Sequence, residues 1–305
     1  MNYAIEEDNC LVCHTGNVAS KNIGGELSKP YGHFVQNYAG VHNPVENFAM
    51  AGTQKHVECA DCHNSHQSNT TPSSGAPLVS GATTGVSGID ASGQAVKYAQ
   101  NQYEICNKCH GDNNVITNFP IARQIPQLNT RMEFDQANPS FHPVMGIGVN
   151  PNVPSLLPPY TTSSKIYCTD CHNNDDANGP QGPHGSYNAF LLAKNYTTAD
   201  NTLESPMAYE LCYSCHSRAS ILGDQSFKDH NKHIVERNTP CSACHDAHGI
   251  SNTQGNPVNN AHLINFDLNI VQPDSLGRLF YEKTGPESGQ CYLNCHGASH
   301  SPRSY

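Results

Sequence analysis

Fourteen cysteines in seven close pairs constrain this 305-residue chain more than any other feature. The pairs are Cys10/Cys13, Cys59/Cys62, Cys106/Cys109, Cys168/Cys171, Cys212/Cys215, Cys241/Cys244 and Cys291/Cys295. No cysteine is left over. A histidine follows the second member of every pair: His14, His63, His110, His172, His216, His245 and His296. Six pairs are strict Cys-x-x-Cys-His, whereas the last, in "GQCYLNCHGASH", holds three residues between its cysteines. A disulfide framework does not require a histidine after each pair. A zinc ribbon needs Cys-x-x-Cys pairs to converge on one metal. A thioredoxin-like motif would occur once, in a βαβ setting.

The pattern is that of covalent c-type haem attachment. Two thiols add to two vinyl groups on one edge of the porphyrin, and the adjacent histidine reaches the iron from one face. The sequence therefore predicts seven covalent haems, with the fourteen cysteines as thioethers and the seven adjacent histidines as proximal iron ligands. The seventh motif joins the set because an extra residue can be looped out. The competing reading there is a Cys291–Cys295 disulfide.

Composition agrees with an interior filled by something other than side chains. Apolar residues make up 36% of the chain, below the usual share of about 45–50%, and Trp is absent. Charged residues make up only 14%, so the high charge of a disordered chain is also missing. Seven apolar macrocycles would supply the missing core. The expected fold is mostly irregular coil with short α-helices at the attachment sites and little β-structure, packed around the haems. The net charge of −10 becomes about −17 once propionates and ferric irons are counted. That excludes nucleic acid as a natural partner. No run of about 20 apolar residues is present, so no membrane span is expected. "MNYAIEEDNC" lacks the apolar run of a signal peptide. Since such haems are attached outside the cytoplasm, the chain reads as a mature product with its signal already removed.

The motifs fall into doublets, 1/2, 3/4 and 5/6, followed by a lone seventh. "YEICNKCH" (103–110) resembles "YELCYSCH" (209–216), and "VECADCHNSH" (57–66) resembles "TPCSACHDAH" (239–248). Residues 67–100 are rich in Ser, Thr and Gly, which in isolation makes a linker. Residues 149–162, "VNPNVPSLLPPYTT", should be extended. A division into 1–100 (haems 1 and 2) and 101–305 (haems 3 to 7) follows.

Eleven histidines remain for the second axial positions. Each doublet has histidines between its motifs and one after. His33 lies 26 residues before Cys59, and His142 lies 26 before Cys168, in the similar settings "HFV" and "HPV". The preferred distal set is therefore His33, His66, His142, His184, His233, His248 and His300. His56, His230 and His42 are the alternates, and His42 and His262 otherwise read as surface residues or propionate partners. His63 and His66 are three apart and cannot reach one iron from opposite faces. The same holds for His245 and His248.

"KHVECADCHNSH", "FHPV", "CTDCHNND…GPHGS", "SFKDHNKHIV…CSACHDAHG" and "CYLNCHGASHSP" resemble the doubled-CXXCH multihaem cytochromes c of metal-reducing bacteria. The resemblance covers most of the chain. It implies secreted, low-potential, bis-histidine cytochromes that pass electrons across or beyond the cell envelope, some as filaments. The location it implies is extracellular or cell-surface, with the periplasm as the alternative. The expected partners are redox proteins or extracellular acceptors, and a head-to-tail homopolymer. A discrete shuttle or conduit subunit is the alternative role. A multihaem reductase would need a vacant iron, and no Cys-x-x-Cys-Lys motif is present, so the chain reads as a non-enzyme.

Overall fold

The computed structural model describes residues 3–37, 57–112 and 121–305. Contacts divide the chain into two units. The first comprises Met1–Val115 and Ile166–Asn195, and the second Ile116–Lys165 and Tyr196–Tyr305. Motifs 1 to 4 fall in the first unit and motifs 5 to 7 in the second.

Regular elements are short in both units. The longest helix among the described residues of the first is Gln102–His110, which carries the third motif. Its Glu104 ties down the residues before it, accepting from the backbone of Gln100 and the side chain of Asn101. The Ser/Thr/Gly-rich segment is an ordered wrap rather than a free linker. Asn69 donates to Gly81, Gly81 to Thr71, Val79 to Gln100 and Ala99 to Val86. Val86, Ala99 and Ile105 form a small apolar cluster beneath it.

The two units share a construction. In the first, strand Tyr31–Gly32 pairs antiparallel with Gly185–Ser186. In the second, Ser140–Phe141 pairs with Gly249–Ile250. Each pair brings a histidine from one strand end, His33 or His142, beside a His-Gly from the other. The glycines are demanded by close approach. A Cβ on Gly185 would lie 1.9 Å from the Glu26 carbonyl oxygen, and one on Gly249 2.2 Å from that of Glu133.

The second unit also holds the largest sheet among the described residues. Strand Ser288–Cys295 pairs antiparallel with Val271–Gln272, Phe280–Gly285 and Ala298–Ser304. Its buried face joins Ala243, Ala261, Phe266, Ile270, Val271, Tyr281 and Leu293 in one apolar cluster. Arg123 fastens the sixth motif to this core. Its guanidinium donates to the carbonyls of Ser242, Asn265 and His245 and pairs with Asp246.

Gly185→Ala and Gly249→Ala should each cost about 1–3 kcal/mol, as overpacking against rigid backbone does. The readout is a lowered denaturation midpoint. An unchanged midpoint would mean that the strand does not run against the Glu26 or Glu133 carbonyl.

Candidate metal centres

The six strict motifs adopt one helical turn, whether in an α-helix or a tighter one. The histidine N–H donates to the carbonyl of the first cysteine at 3.1 Å in the first motif, 3.0 Å in the second, 2.9 Å in the fourth and fifth and 3.0 Å in the sixth. The third lies wholly within a helix. Residues i, i+3 and i+4 of a turn share a side, so two thiols and an imidazole converge. None of the fourteen cysteines is in a disulfide in this structure.

The second cysteines tie their turns to more distant backbone. The Cys13 carbonyl accepts from Ala19 at 2.9 Å, that of Cys171 from Ala193 at 2.8 Å and that of Cys215 from Leu157 at 2.9 Å. Cys109 instead lies inside helix Gln102–His110. Cys109, Cys171 and Cys215 are half-buried, as an enclosed porphyrin edge requires, whereas Cys13 is exposed. The segment after Cys13, from His14 to Asn22, is likewise exposed at all but Ala19.

The imidazoles then meet partners from distant segments. In the first unit, His63 faces His184 and His110 faces His33, both with ring centroids 6.1 Å apart. In the second, His216 faces His142 at 6.4 Å, His245 faces His230 at 6.3 Å, and His300 faces His233 at 6.2 Å. Two trans imidazoles on one metal, each bonded at about 2 Å, put their centroids roughly 6 Å apart. All five pairs have that separation.

The other ring nitrogen is committed in most of these rings, as metal-binding imidazoles require. Nδ1 of His33 donates to the Pro183 carbonyl at 2.9 Å, and Nδ1 of His142 to that of Ala247 at 2.6 Å. His63 donates to Ala82 at 2.8 Å, His172 to Phe190 at 2.9 Å, His245 to His262 at 2.9 Å and His233 to Asp229 at 2.6 Å. Nδ1 of His216 bonds the Ser155 hydroxyl at 2.9 Å, so the Pro-rich segment serves to orient the fifth motif. Nδ1 of His184 and of His230 is buried with no hydrogen-bond partner. An orphaned buried nitrogen is a cost that the chain alone does not offset, and coordination through that same nitrogen would.

Burial keeps these rings neutral. It holds His184, His216 and His245 down at about 4 and His230 at about 3, with neighbouring imidazoles adding to the effect. It also lowers His33, His142 and His300. A neutral imidazole has the lone pair that a metal needs.

The remaining histidines fall elsewhere. His14 and His66 are exposed, and among the described residues no imidazole faces either. His42 and His56 lie outside the described residues. His248 donates from Nδ1 to Glu133 at 2.8 Å and packs on Phe134. Burial opposes its charge, but the Glu133 and Asp246 carboxylates hold it up to about 9. His262 takes the His245 bond on its carbonyl, and its ring meets Asn150 at 3.2 Å. His296, expected as the seventh proximal ligand, has Nε2 on both Asp200 oxygens at 2.8 and 3.0 Å, while His300 faces His233. His230, an alternate in the sequence reading, faces the sixth motif.

One sequence signal for the loop behind the motifs is the repeat "NAFLL" (188–192) and "NAHLI" (260–264). Phe190 and His262 both take a left-handed backbone, φ 61° and 58°. Each thereby turns its carbonyl onto the imidazole of the fourth or sixth motif.

Neighbouring motifs touch within each unit. The first cysteines of the doublets lie beside one another: Cys10 by Cys59, Cys106 by Cys168 and Cys212 by Cys241. Cys62 lies in electrostatic reach of Cys106, and Cys244 of Cys291 and Cys295. Motifs 1-2-3-4 and 5-6-7 thus form two consecutive series. The facing imidazoles, the committed Nδ1 atoms and the thiols outside any disulfide fit covalent haem.

A family model described as outer membrane cytochrome MtrC/MtrF-like, domains II/IV, matches residues 91–262, more than half of the chain. No curated protein and no solved structure matches.

Ser155→Ala should leave haem content unchanged while removing the acceptor of the His216 Nδ1 proton. An imidazole deprived of that bond is a poorer donor, so one haem potential should move positive in spectroelectrochemical titration. An unmoved set of potentials would count against His216 as an axial ligand.

Proposed function

The chain belongs to the MtrC/MtrF-like family of outer membrane cytochromes, and from that premise we propose that it is a heptahaem conductor in extracellular electron transfer. Membership makes it a multihaem electron-transfer cytochrome, placed at the cell surface or outside the cell. No helix among the described residues is long and apolar enough to cross a membrane.

The observation that carries the finer reading is the set of five facing imidazole pairs. When bound, haem supplies one-electron chemistry at iron. The chain's part is to fix each plate by two thiols, close both axial positions and set neighbouring plates side by side. Closed axial positions leave no room for substrate, which favours conduction over a reductase. Haems 2, 3, 5 and 6 take His184, His33, His142 and His230 as their second ligands. Intact mass should show seven haems, and the ferric protein should be low-spin throughout. A lower count, or a large high-spin fraction, would refute the heptahaem bis-histidine reading.

The proposal extends to assembly. Copies join head to tail, so that conduction continues between them. Exposed His14 and His66, facing no other described imidazole, are open to a second copy. Electron microscopy of the purified, uncrosslinked protein should show filaments of regular repeat. Discrete particles of one or two chains would sink the polymer and leave a shuttle that meets soluble redox partners.

A further inference from the structure

We propose that the side chain four residues before the first cysteine of an odd-numbered motif is a clasp that sets the two attachment turns of a doublet against each other. Glu6 and Gln102 are then positioning residues for electron passage within the first and second doublets, and the third doublet, with Ala208 at that place, lacks the clasp. The inference rests on the haem reading above and concerns motifs 1 to 6 only.

The geometry is the same in two doublets. Glu6 opens the helix Glu6–Leu11 and stands four residues before Cys10. Its Oε1 accepts from the backbone N–H of Ala60 at 2.9 Å. Gln102 opens the helix Gln102–His110 and stands four residues before Cys106. Its Oε1 accepts from the backbone N–H of Thr169 at 3.4 Å, and its Nε2 donates to the Thr169 hydroxyl at 2.9 Å. Ala60 and Thr169 occupy one position, the residue after the first cysteine of the even-numbered motif. Both lie in the first turn of a helix, Cys59–Cys62 or Cys168–Asp170, where N–H groups have no partner inside the helix. An acid and an amide, in unlike sequences, make the same cross-link.

The cross-link sits beside the thiols it would govern. Cys10 lies by Cys59, and Cys106 by Cys168. Each clasp starts one helical turn from the first of these thiols and ends one residue from the second. It therefore bears on the gap between two macrocycle edges, and electron exchange falls steeply as such a gap widens. Groups of this kind need to be held to within about 0.5 Å by hydrogen bonds behind them.

The third doublet departs from the other two. Ala208 stands four residues before Cys212, and Ser242 follows Cys241. Ala208 packs in the apolar cluster that Cys212 and Cys241 border, but a methyl group cannot bond to an N–H or a hydroxyl. Ser242 is fully buried, and its hydroxyl, beside the Tyr196 phenol, has no partner within hydrogen-bond distance. The Ser242 carbonyl goes to Arg123 at 2.6 Å, so a guanidinium from outside the doublet fastens the sixth turn.

The test uses matured holoprotein. It reads the exciton couplet in Soret circular dichroism, which grows with the proximity of neighbouring haems, and the rate of internal electron equilibration after flash reduction. Glu6→Ala and Gln102→Ala should keep the wild-type haem count and low-spin ferric spectrum while losing couplet amplitude and slowing equilibration. Glu6→Gln and Gln102→Glu keep an acceptor for the N–H and should restore both. Ser242→Ala should change neither. A bond that only stabilises the fold would lower the denaturation midpoint of the two alanine variants and leave couplet and rate intact, which would overturn the proposal. So would a Ser242→Ala variant that loses as much as Gln102→Ala. Should the alanine variants fail to mature, a cryo-EM map of the wild type decides. Glu6 and Gln102 bonded to Ala60 and Thr169 beside paired haems support the clasp, and either side chain turned away overturns it. An unoccupied motif among the first six in peptide mass mapping of the wild type would sink the haem reading itself, whereas six filled motifs with unmoved alanine variants would sink only the clasp.

Discussion

Everything in this molecule hangs on pairs of imidazoles held about 6 Å apart by segments distant in sequence. A helical Cys-x-x-Cys-His turn is local and would form almost anywhere. Its opposing histidine is not local: His63 meets His184, and His110 meets His33. Such pairings need a scaffold that fixes both ends, yet the chain has few apolar side chains to build one. It uses backbone hydrogen bonds instead. Two-residue strand pairs, left-handed turns at Phe190 and His262, and the Arg123 guanidinium on three carbonyls are small devices. Each sets the direction of an imidazole or its carbonyl partner.

The turn at the six strict motifs was legible in the sequence because it is local. Cysteine spacing dictates the turn, and the turn dictates which residues converge. How far the chain then covers each thiol was not legible: Cys109, Cys171 and Cys215 are half-enclosed, and Cys13, in an identical motif, is exposed. The equal spacing of His33 and His142 before their motifs was informative. In the structure both donate from Nδ1 to the residue just before the trailing histidine, Pro183 or Ala247. Which motif histidine each faces was hidden. The answer depends on how the fourth motif's segment, Ile166–Asn195, folds back into the unit of the first three, and no residue pattern announces that. The sheet around Ser288–Cys295 was equally silent. Its strands are polar, and its one clear sequence cue, His296-Gly297 as a hairpin turn, sat inside a motif already read as haem attachment.

Carboxylates perform much of the positioning that apolar packing would perform elsewhere. Asp61 accepts from the backbone of Glu58, and Glu6 from that of Ala60, at the start of the second motif. Asp170 accepts from Tyr167 at the fourth. A charged acceptor satisfies exposed helix-start N–H groups strongly. The acidic balance of the chain is therefore partly structural, an anchoring of attachment turns, as well as a matter of partner choice.

The residues between the fifth and sixth motifs show how spacing becomes coupling. His230 and His233 are three apart on one short turn, so they cannot serve the same iron. They face His245 and His300 respectively. Phe227 packs on both rings, with centroids 5.1 and 5.8 Å away, and Tyr305 meets its other edge at 4.4 Å. One turn thus carries imidazoles toward two different partners, and any shift of that turn moves both rings together.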